Sequence, residues 1–308
     1  RPRAHAARVP VMAYGTEALS TQEIDDAALD KPLLSGDGAQ SRVAAIEWSD
    51  AGSFAGASLE DASYPTGRAY DRGATTRTRP STAAATRYLL FNLATSPPDI
   101  DFIAIINHNL GTIGGGATVA FEIANGSTFA GAISLASWTP TTNVRLVDLT
   151  LGGGNNRYTT VPYARLVFTN LGASKPEVGE VWFGKRRQMP HWPQHPWEPA
   201  HVEGADNEVF DADGGDLVTY QRHGGRFEQS MEMKFATDAN AAILTGFWSD
   251  CSYGAKKGIV IPKPNSAPTR AHLCAWPGGL PPPAPMTPSK RRYRLDMREA
   301  APFYSSES

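Results

Sequence analysis

Four things are scarce in this sequence, and each scarcity excludes something. Only two cysteines occur, Cys251 and Cys274. One disulfide is possible, but two thiols in a chain this long make no stapling framework. No apolar run reaches the ~18 residues of a membrane span. The N-terminus (Arg1, Pro2, Arg3, His5) lacks the apolar core of a signal peptide. The expectation is therefore a soluble chain that does not leave the cell by the general secretory route. Neither sign of charge dominates: 29 basic residues stand against 31 acidic ones. That balance gives no electrostatic case for nucleic acid as the main partner. Helix-forming charge periodicity is also sparse, whereas glycine (29) and proline (24) are plentiful. This combination predicts an all-β chain with many turns.

Within that frame one stretch stands out, from Asp99 to Gly111. Ile100, Phe102, Ala104 and Ile106 fall on one face of a strand, and Ile103 and Ile105 on the other. Both faces are apolar, so a central, buried strand is predicted, with one face in a core and the other free to meet a domain or subunit. The strand stops at Asn107-His108-Asn109, three polar residues that tolerate turn geometry.

In chain order, residues 1–42 read as an N-terminal arm, either loose or ordered against a neighbouring subunit. Residues 43–187 read as a jelly-roll-like β-sandwich. Strand patterns cover Val43–Trp48, Arg87–Leu93, Thr118–Ala124, Ala132–Trp138, Val144–Leu149, Tyr163–Asn170 and Glu177–Phe183, with Gly, Pro and Asn turns between them. Residues 188–200 carry four prolines with Trp192 and Trp197, and read as an extended linker whose tryptophans dock on a surface.

Residues 201–308 read as a β-rich assembly module. Phe227, Gln229, Met231, Met233 and Phe235 alternate with polar residues along one long strand, which makes Phe227, Met231 and Met233 interface candidates beside Trp192 and Trp197. Ile243, Leu244, Phe247 and Trp248 lie at helical spacing after Asp238. That single helix should cover one sheet face and leave the other face and the free edges to neighbouring subunits. Strands are also expected at Gly258–Pro262, Leu273–Trp276 and Tyr293–Glu299, and a protruding loop at Gly278–Pro288.

Motif chemistry is thin. There is no Gly-x-Ser-x-Gly, no His-Glu-x-x-His, no Cys-x-x-Cys and no phosphate loop; Gly152-Gly153-Gly154 lacks the Lys-Ser/Thr ending. No cofactor and no metal are expected. His191, His195 and His201 lie on an extended chain that points side chains apart, and Asp211–Asp216 lacks the residues that complete a calcium loop. Arg68, Arg72, Arg77 and Arg79 cluster around Asp71, as a phosphate or carboxylate contact or as a solvated strand with local ion pairs. His108 is the most tempting single residue, either as an acid–base group or as a turn histidine satisfied by its neighbours.

Several stretches taken together resemble a known family. Asp101 to Leu110 resembles the "Asp-x-hydrophobic-Ala-hydrophobic-x-His-Asn-Leu" strand and turn of distal tail or tail-tip-associated structural proteins of long-tailed bacteriophages. Tyr163–Phe168 followed by Gly179–Gly184 is similar to that family's next pair of strands, and also to discoidin-like sandwiches that carry sugar-binding modules. The series continues through Arg226–Phe235, the Trp248 helix, Ile259–Pro262 and Tyr293–Glu299. The first 45 residues and Pro281–Pro288 depart from the pattern. The resemblance implies a non-enzymatic virion protein, made in the bacterial host cytoplasm and built into the tail. Its partners would be copies of itself in a ring, the tail tube, the tip or hub and a fibre. The competing expectation is a carbohydrate-binding module for host-surface glycan, with Tyr64, Tyr70, Trp138 and Tyr158 as its loop aromatics. A hydrolase built on His108 is the third and weakest reading.

Overall fold

The computed structural model describes residues 13–19, 31–36, 42–73, 75–143, 145–154, 156–189, 201–202, 207–211, 217–221, 226–236, 238–267, 269–277, 284–287 and 290–299; within 201–241 and 284–293 only the backbone is described. Two strands precede the sandwich: β1 (Gly15–Ala18) and β2 (Leu33–Ser35). Then come β3 (Ala45–Ser49), β4 (Arg87–Asn92), β5 (Phe102–His108), β6 (Thr118–Ala124), β7 (Ile133–Trp138), β8 (Arg145–Asp148), β9 (Asn156–Thr159), β10 (Tyr163–Thr169) and β11 (Val178–Gly184). The remainder is β12 (Arg187–Gln188), β13 (His201–Val202), β14 (Asn207–Asp211), β15 (Leu217–Gln221), β16 (Arg226–Ala236), the helix α1 (Asp238–Asp250), β17 (Gly258–Ile261), β18 (His272–Ala275), β19 (Ala284–Thr287) and β20 (Lys290–Glu299). Among the described residues the chain is all-β apart from α1 and short 3₁₀ turns.

The sandwich is a five-stranded antiparallel sheet, β3-β4-β10-β6-β7, packed on a three-stranded one, β11-β5-β8. Alternation decides what goes inside. Leu89 and Phe91, Phe121 and Ile123, and Leu166 and Phe168 face Ile103, Ile105, Val181 and Phe183 across the core. Phe183 sits at the centre, its ring 5.1 Å from Phe91 and 5.2 Å from Phe121. Trp48 closes one end; its indole N–H donates to Thr78 Oγ1 at 2.9 Å, which satisfies the one polar atom the ring buries.

The opposite face of β5 is the more informative one. Phe102, Ala104 and Ile106, with Trp182 of β11, pack on Leu33, Ile259, Ile261, Ala271 and Leu273. These lie in the second large sheet or, for Ala271, directly before its β18; the sheet is ordered β12-β2-β17-β18-β20-β16-β13 with β19 beside β20. Its alternate residues, Leu34, Val260, Cys274, Leu295 and Met297, turn to α1 and meet Leu244, Phe247 and Trp248. Five-stranded sheet, three-stranded sheet, large sheet and helix are thus stacked in that order. The predicted second apolar face of β5 is explained by a partner within the same chain.

Three expectations change. The stretch read as an arm supplies β1, which pairs with β9, and β2, which lies between β12 and β17. The second sheet therefore draws on strands from before and after the sandwich. The sheet face opposite α1, expected to be free for neighbouring subunits, is covered by the three-stranded sheet. The stretch Gly278–Pro288, expected as a protruding loop, contains β19; Ala284 and Thr287 pair with Arg292 and Lys290 of β20. Pro285 is tolerated there because, among the described residues, β19 pairs on one side only.

Several polar groups at the junction are paired. Trp182 Nε1 donates to Ser35 Oγ at 3.1 Å, and Ser35 Oγ donates to Lys185 O at 3.0 Å. Arg145 Nη2 meets Glu299 Oε1 at 2.7 Å, and His272 Nδ1 lies 3.1 Å from the same oxygen, all three groups being nearly or fully buried. Arg187 pairs with Asp250 at 2.6 Å. Lys257 Nζ donates to Arg72 O at 2.8 Å, and the Arg72 guanidinium lies 5.0 Å over the Trp182 ring.

Candidate functional site

The corner after β5 is built by Asn107, His108 and Asn109, each in a different way. Asn107 is left-handed, with φ 61°, a conformation asparagine adopts more readily than most residues. Its Oδ1 accepts two bonds from one guanidinium, Arg77 Nε at 2.9 Å and Nη2 at 2.6 Å. Asn109 stitches two loops: its Oδ1 accepts from Glu177 N at 2.8 Å and its Nδ2 donates to Lys175 O at 3.0 Å. Gly111 follows because a side chain there would collide with the Thr142 backbone. The corner is thus a knot between β5, the loop before β8 and the loop before β11.

His108 is fully buried. Its Nδ1 accepts from Leu110 N at 3.3 Å, which puts the ring proton on Nε2. Burial pushes its pKa down to about 4, and the nearby Arg77 charge adds to the effect. The ring is therefore neutral at physiological pH and shielded from solvent. It serves the corner, as the turn-histidine reading expects, with a partner in Leu110 rather than in its asparagine neighbours.

Outside this corner lies a half-exposed ridge of charge. Arg77 Nη1 meets Glu177 Oε2 at 3.1 Å, Arg79 Nη1 meets Glu177 Oε1 at 3.1 Å, and Arg79 Nε meets Asp61 Oδ2 at 3.0 Å. Lys175 Nζ stands 3.9 Å from that same Asp61 oxygen. The Ser63 amide, and then Arg79, hold the Asp61 carboxyl below its ordinary range against partial desolvation. Tyr64 sits in the ridge, with the Arg79 guanidinium 3.8 Å and the Arg68 guanidinium 5.6 Å from its ring centre. Thr78 Oγ1 and Arg79 N donate to Tyr64 O at 3.1 and 3.3 Å, so the ring is mounted on a fixed backbone.

The basic cluster expected around Asp71 is divided in two by the fold. Arg68, Arg77 and Arg79 join the ridge, while Arg72 turns to Trp182 and Lys257 at the module junction. Asp71 closes its own loop, accepting from Gly73 N at 2.7 Å and Thr76 Oγ1 at 3.1 Å. The four loop aromatics separate as well. Tyr64 is on the ridge, Trp138 packs at the rim of the core, and Tyr158 is buried with its ring 6.4 Å from Tyr14. Tyr70 ends the 3₁₀ turn Thr66–Ala69.

A second aromatic group lies on the outer face of the five-stranded sheet. Phe54, Phe129 and Tyr163 form a triangle with ring separations of 6.1 to 6.4 Å. Arg165 lies 4.6 Å over Phe129 and pairs with Glu122 at 2.6 Å. Tyr163 and Arg165 are the outward positions of β10, so alternation contained half of this group. The loops that bring Phe54 and Phe129 over the sheet have no periodicity to announce them. These rings touch one another and form a small outer core.

The remaining candidates are quickly placed. Phe227, Met231 and Met233 lie on β16, opposite His201, Leu295 and Tyr293. Trp192 and Trp197, with His191 and His195, lie outside the described residues. Among the described residues no group of three or more His, Cys, Asp or Glu side chains converges for a metal, and no helix is long and apolar enough to cross a membrane. Cys251 and Cys274 are free and buried; burial pushes the Cys251 thiol up to about 12 and lifts that of Cys274 well above its usual range. Asp101 accepts from Arg157 Nε at 2.9 Å and Arg186 N at 2.7 Å. Burial lifts its carboxyl above the ordinary range, against the opposing pull of Arg157 and Arg186.

No protein-family model matches the chain, and no curated protein matches it. Among solved structures, it is similar to a chitosan-binding module 1 derived from a chitosanase/glucanase of Paenibacillus sp. IK-5, at 16% identity and TM-score 0.35 over 52% of this chain and 98% of that one. It is also similar to the family 32 carbohydrate-binding module of C. perfringens NanJ in complex with galactose, at 14% identity and TM-score 0.35 over 49% and 98%. A third is reduced XRCC1 bound to the DNA pol beta catalytic domain, at 14% and 0.33 over 47% and 95%. At such identities and scores, what these proteins bind does not transfer to this chain.

Proposed function

We propose that this chain is a non-catalytic attachment component, whose sandwich holds a surface glycan at the ridge around Tyr64 and whose large sheet serves as its mount. The observation that carries this reading is the setting of Tyr64. It is a half-exposed aromatic ring flanked by two arginines, on a backbone fixed by Thr78 and Arg79. Sugar rings offer C–H faces to aromatic side chains and hydroxyls to charged ones, and a network already locked by ion pairs loses little entropy on binding. A glycan array probed with the full chain, followed by calorimetric titration, should find a ligand. Tyr64→Ala should weaken it at least tenfold, while the urea midpoint should fall only by what the lost cation–π contacts supply, about 1 kcal/mol. No binding to any glycan at millimolar concentration would remove this reading.

A second reading places the same component in the tail of a long-tailed bacteriophage, at the distal tail or tip, in a ring of copies that joins tube to adhesion apparatus. Its support is the ordered series of motifs from Asp101 to Glu299. In the fold, the first and third of these, Asp101–Leu110 and Gly179–Gly184, hydrogen-bond side by side as β5 and β11, and Tyr163–Phe168 faces them across the core. The shared residues build the sandwich, so they speak for common architecture more than for a common partner. Large homo-oligomers and presence in purified virions are expected. A strictly monomeric protein absent from virions would refute this placement and leave glycan attachment untouched.

A further inference from the structure

Charge on the ridge is unevenly matched. Arg77 and Arg79 share Glu177, and Arg79 also holds Asp61, so these four groups neutralise one another. Two cations are left over. Among the described residues the Arg68 guanidinium lies 5.6 Å from the Tyr64 ring centre, with no carboxylate in ion-pair contact. Lys175 reaches Asp61 only at 3.9 Å, and that carboxylate already receives Arg79 at 3.0 Å. The Tyr64 hydroxyl, on the ring that Arg68 and Arg79 flank, makes no protein hydrogen bond among the described residues.

We infer that Arg68, Lys175 and the Tyr64 hydroxyl form the acidic-group subsite of the ridge, and that the glycan it takes bears a carboxylate. The inference rests on the glycan reading above and names the class of sugar. An unpaired guanidinium offers a planar fork of donors that matches a carboxylate in two bonds. The phenol adds a donor for a neighbouring hydroxyl. Asp61 and Glu177 argue for a single negative charge on the ligand: a doubly charged phosphate beside two fixed carboxylates is repelled more than a monoanion is. A neutral sugar would leave the Arg68 fork unused.

The test uses the full chain and matched probes: a sialylated and a uronate-containing oligosaccharide, each beside its carboxyl-reduced counterpart. The acidic form of at least one pair should bind at least tenfold more tightly, and 0.5 M salt should shrink the difference because the site is half-exposed. Arg68→Ala should erase the preference. Arg68→Lys should restore part of it, since the charge returns without the fork. The urea midpoint of Arg68→Ala should stay close to the parent's, because that side chain makes no ion pair among the described residues. Equal binding of acidic and reduced forms, unchanged by Arg68→Ala, would overturn the inference and leave glycan attachment standing. Absence of binding to any probe or to any glycan of the array would overturn both.

Discussion

A left-handed backbone and two bonds from one guanidinium make Asn107 hard to replace. Asn107→Ala loses charge-assisted hydrogen bonds, worth about 1.5–3 kcal/mol, and keeps a Cβ at positive φ without the polar side chain that makes asparagine tolerant of it, which costs about 1 kcal/mol. Asn107→Gly loses only the former. Urea denaturation should rank them parent, Gly, Ala; Ala at or above Gly would show that the backbone conformation matters little. His108 sets a pH dependence. Its folded pKa, about 4, lies below the 6.5 of the free side chain, so the unfolded chain binds a proton the folded one does not. Stability is full above 6.5 and falls as pH drops towards 4, by about 3 kcal/mol in all. His108→Leu should flatten that limb in a series of denaturation curves; an unchanged slope would contradict the assignment. The thiols make a third case at this scale. With Cys251 pushed up to about 12 and both sulfurs buried, a thiol reagent at pH 8 should label none in the native chain and two after denaturation. At the residue scale the sequence disclosed the corner but not its ties. Asn-His-Asn reads as a turn from local chemistry alone. That Arg77 would bind Asn107, or Arg79 bind Glu177, depends on chain separations no local pattern spans.

Elements were readable wherever one face met a core. The bounds of β6 match the expected ones residue for residue, and those of β4, β10 and β11 fall within one residue at each end. The reason is physical: half-buried strands must alternate, and β10 shows this in Ala164, Leu166 and Phe168 inside against Tyr163, Arg165 and Val167 outside. β1 and β2 were hidden for the opposite reasons. β1 is exposed on every residue, and β2 is three residues long and buried on all of them, so neither has a period to detect. The elements are pinned to one another by Arg145, Glu299 and His272, which join β8, β20 and β18. Arg145→Ala removes the arginine from the buried Glu299 carboxylate, leaving it His272, and should cost up to about 3–5 kcal/mol. Replacing all three by apolar residues of similar volume should recover most of that loss, since a buried ion cluster is weak evidence for net stability. A single substitution as mild as a surface change would show that water reaches the cluster.

At the scale of the whole molecule, the three-stranded sheet belongs to two cores at once. One face holds Ile103, Ile105, Val181 and Phe183 in the sandwich; the other holds Phe102, Ala104, Ile106 and Trp182 against the large sheet. A sandwich cut out as residues 43–187 would keep the first core and expose the second face. It would also lose Ser35, the acceptor of the Trp182 indole. That leaves a contiguous apolar patch with a buried donor unpaired, the kind of surface that drives association. The excised fragment should therefore bind a hydrophobic dye and self-associate, whereas the full chain should unfold in one transition that includes both cores. Because β2 lies between β12 and β17, deleting residues 1–36 should do comparable damage from the other side, by removing the strand that carries Leu33 and Leu34 into both apolar layers. A fragment 43–187 that stays monomeric, dye-silent and as resistant to urea as the intact protein would mean that the sheets are stacked without depending on one another. The ridge at Tyr64 would then belong to a portable module that folds without the large sheet.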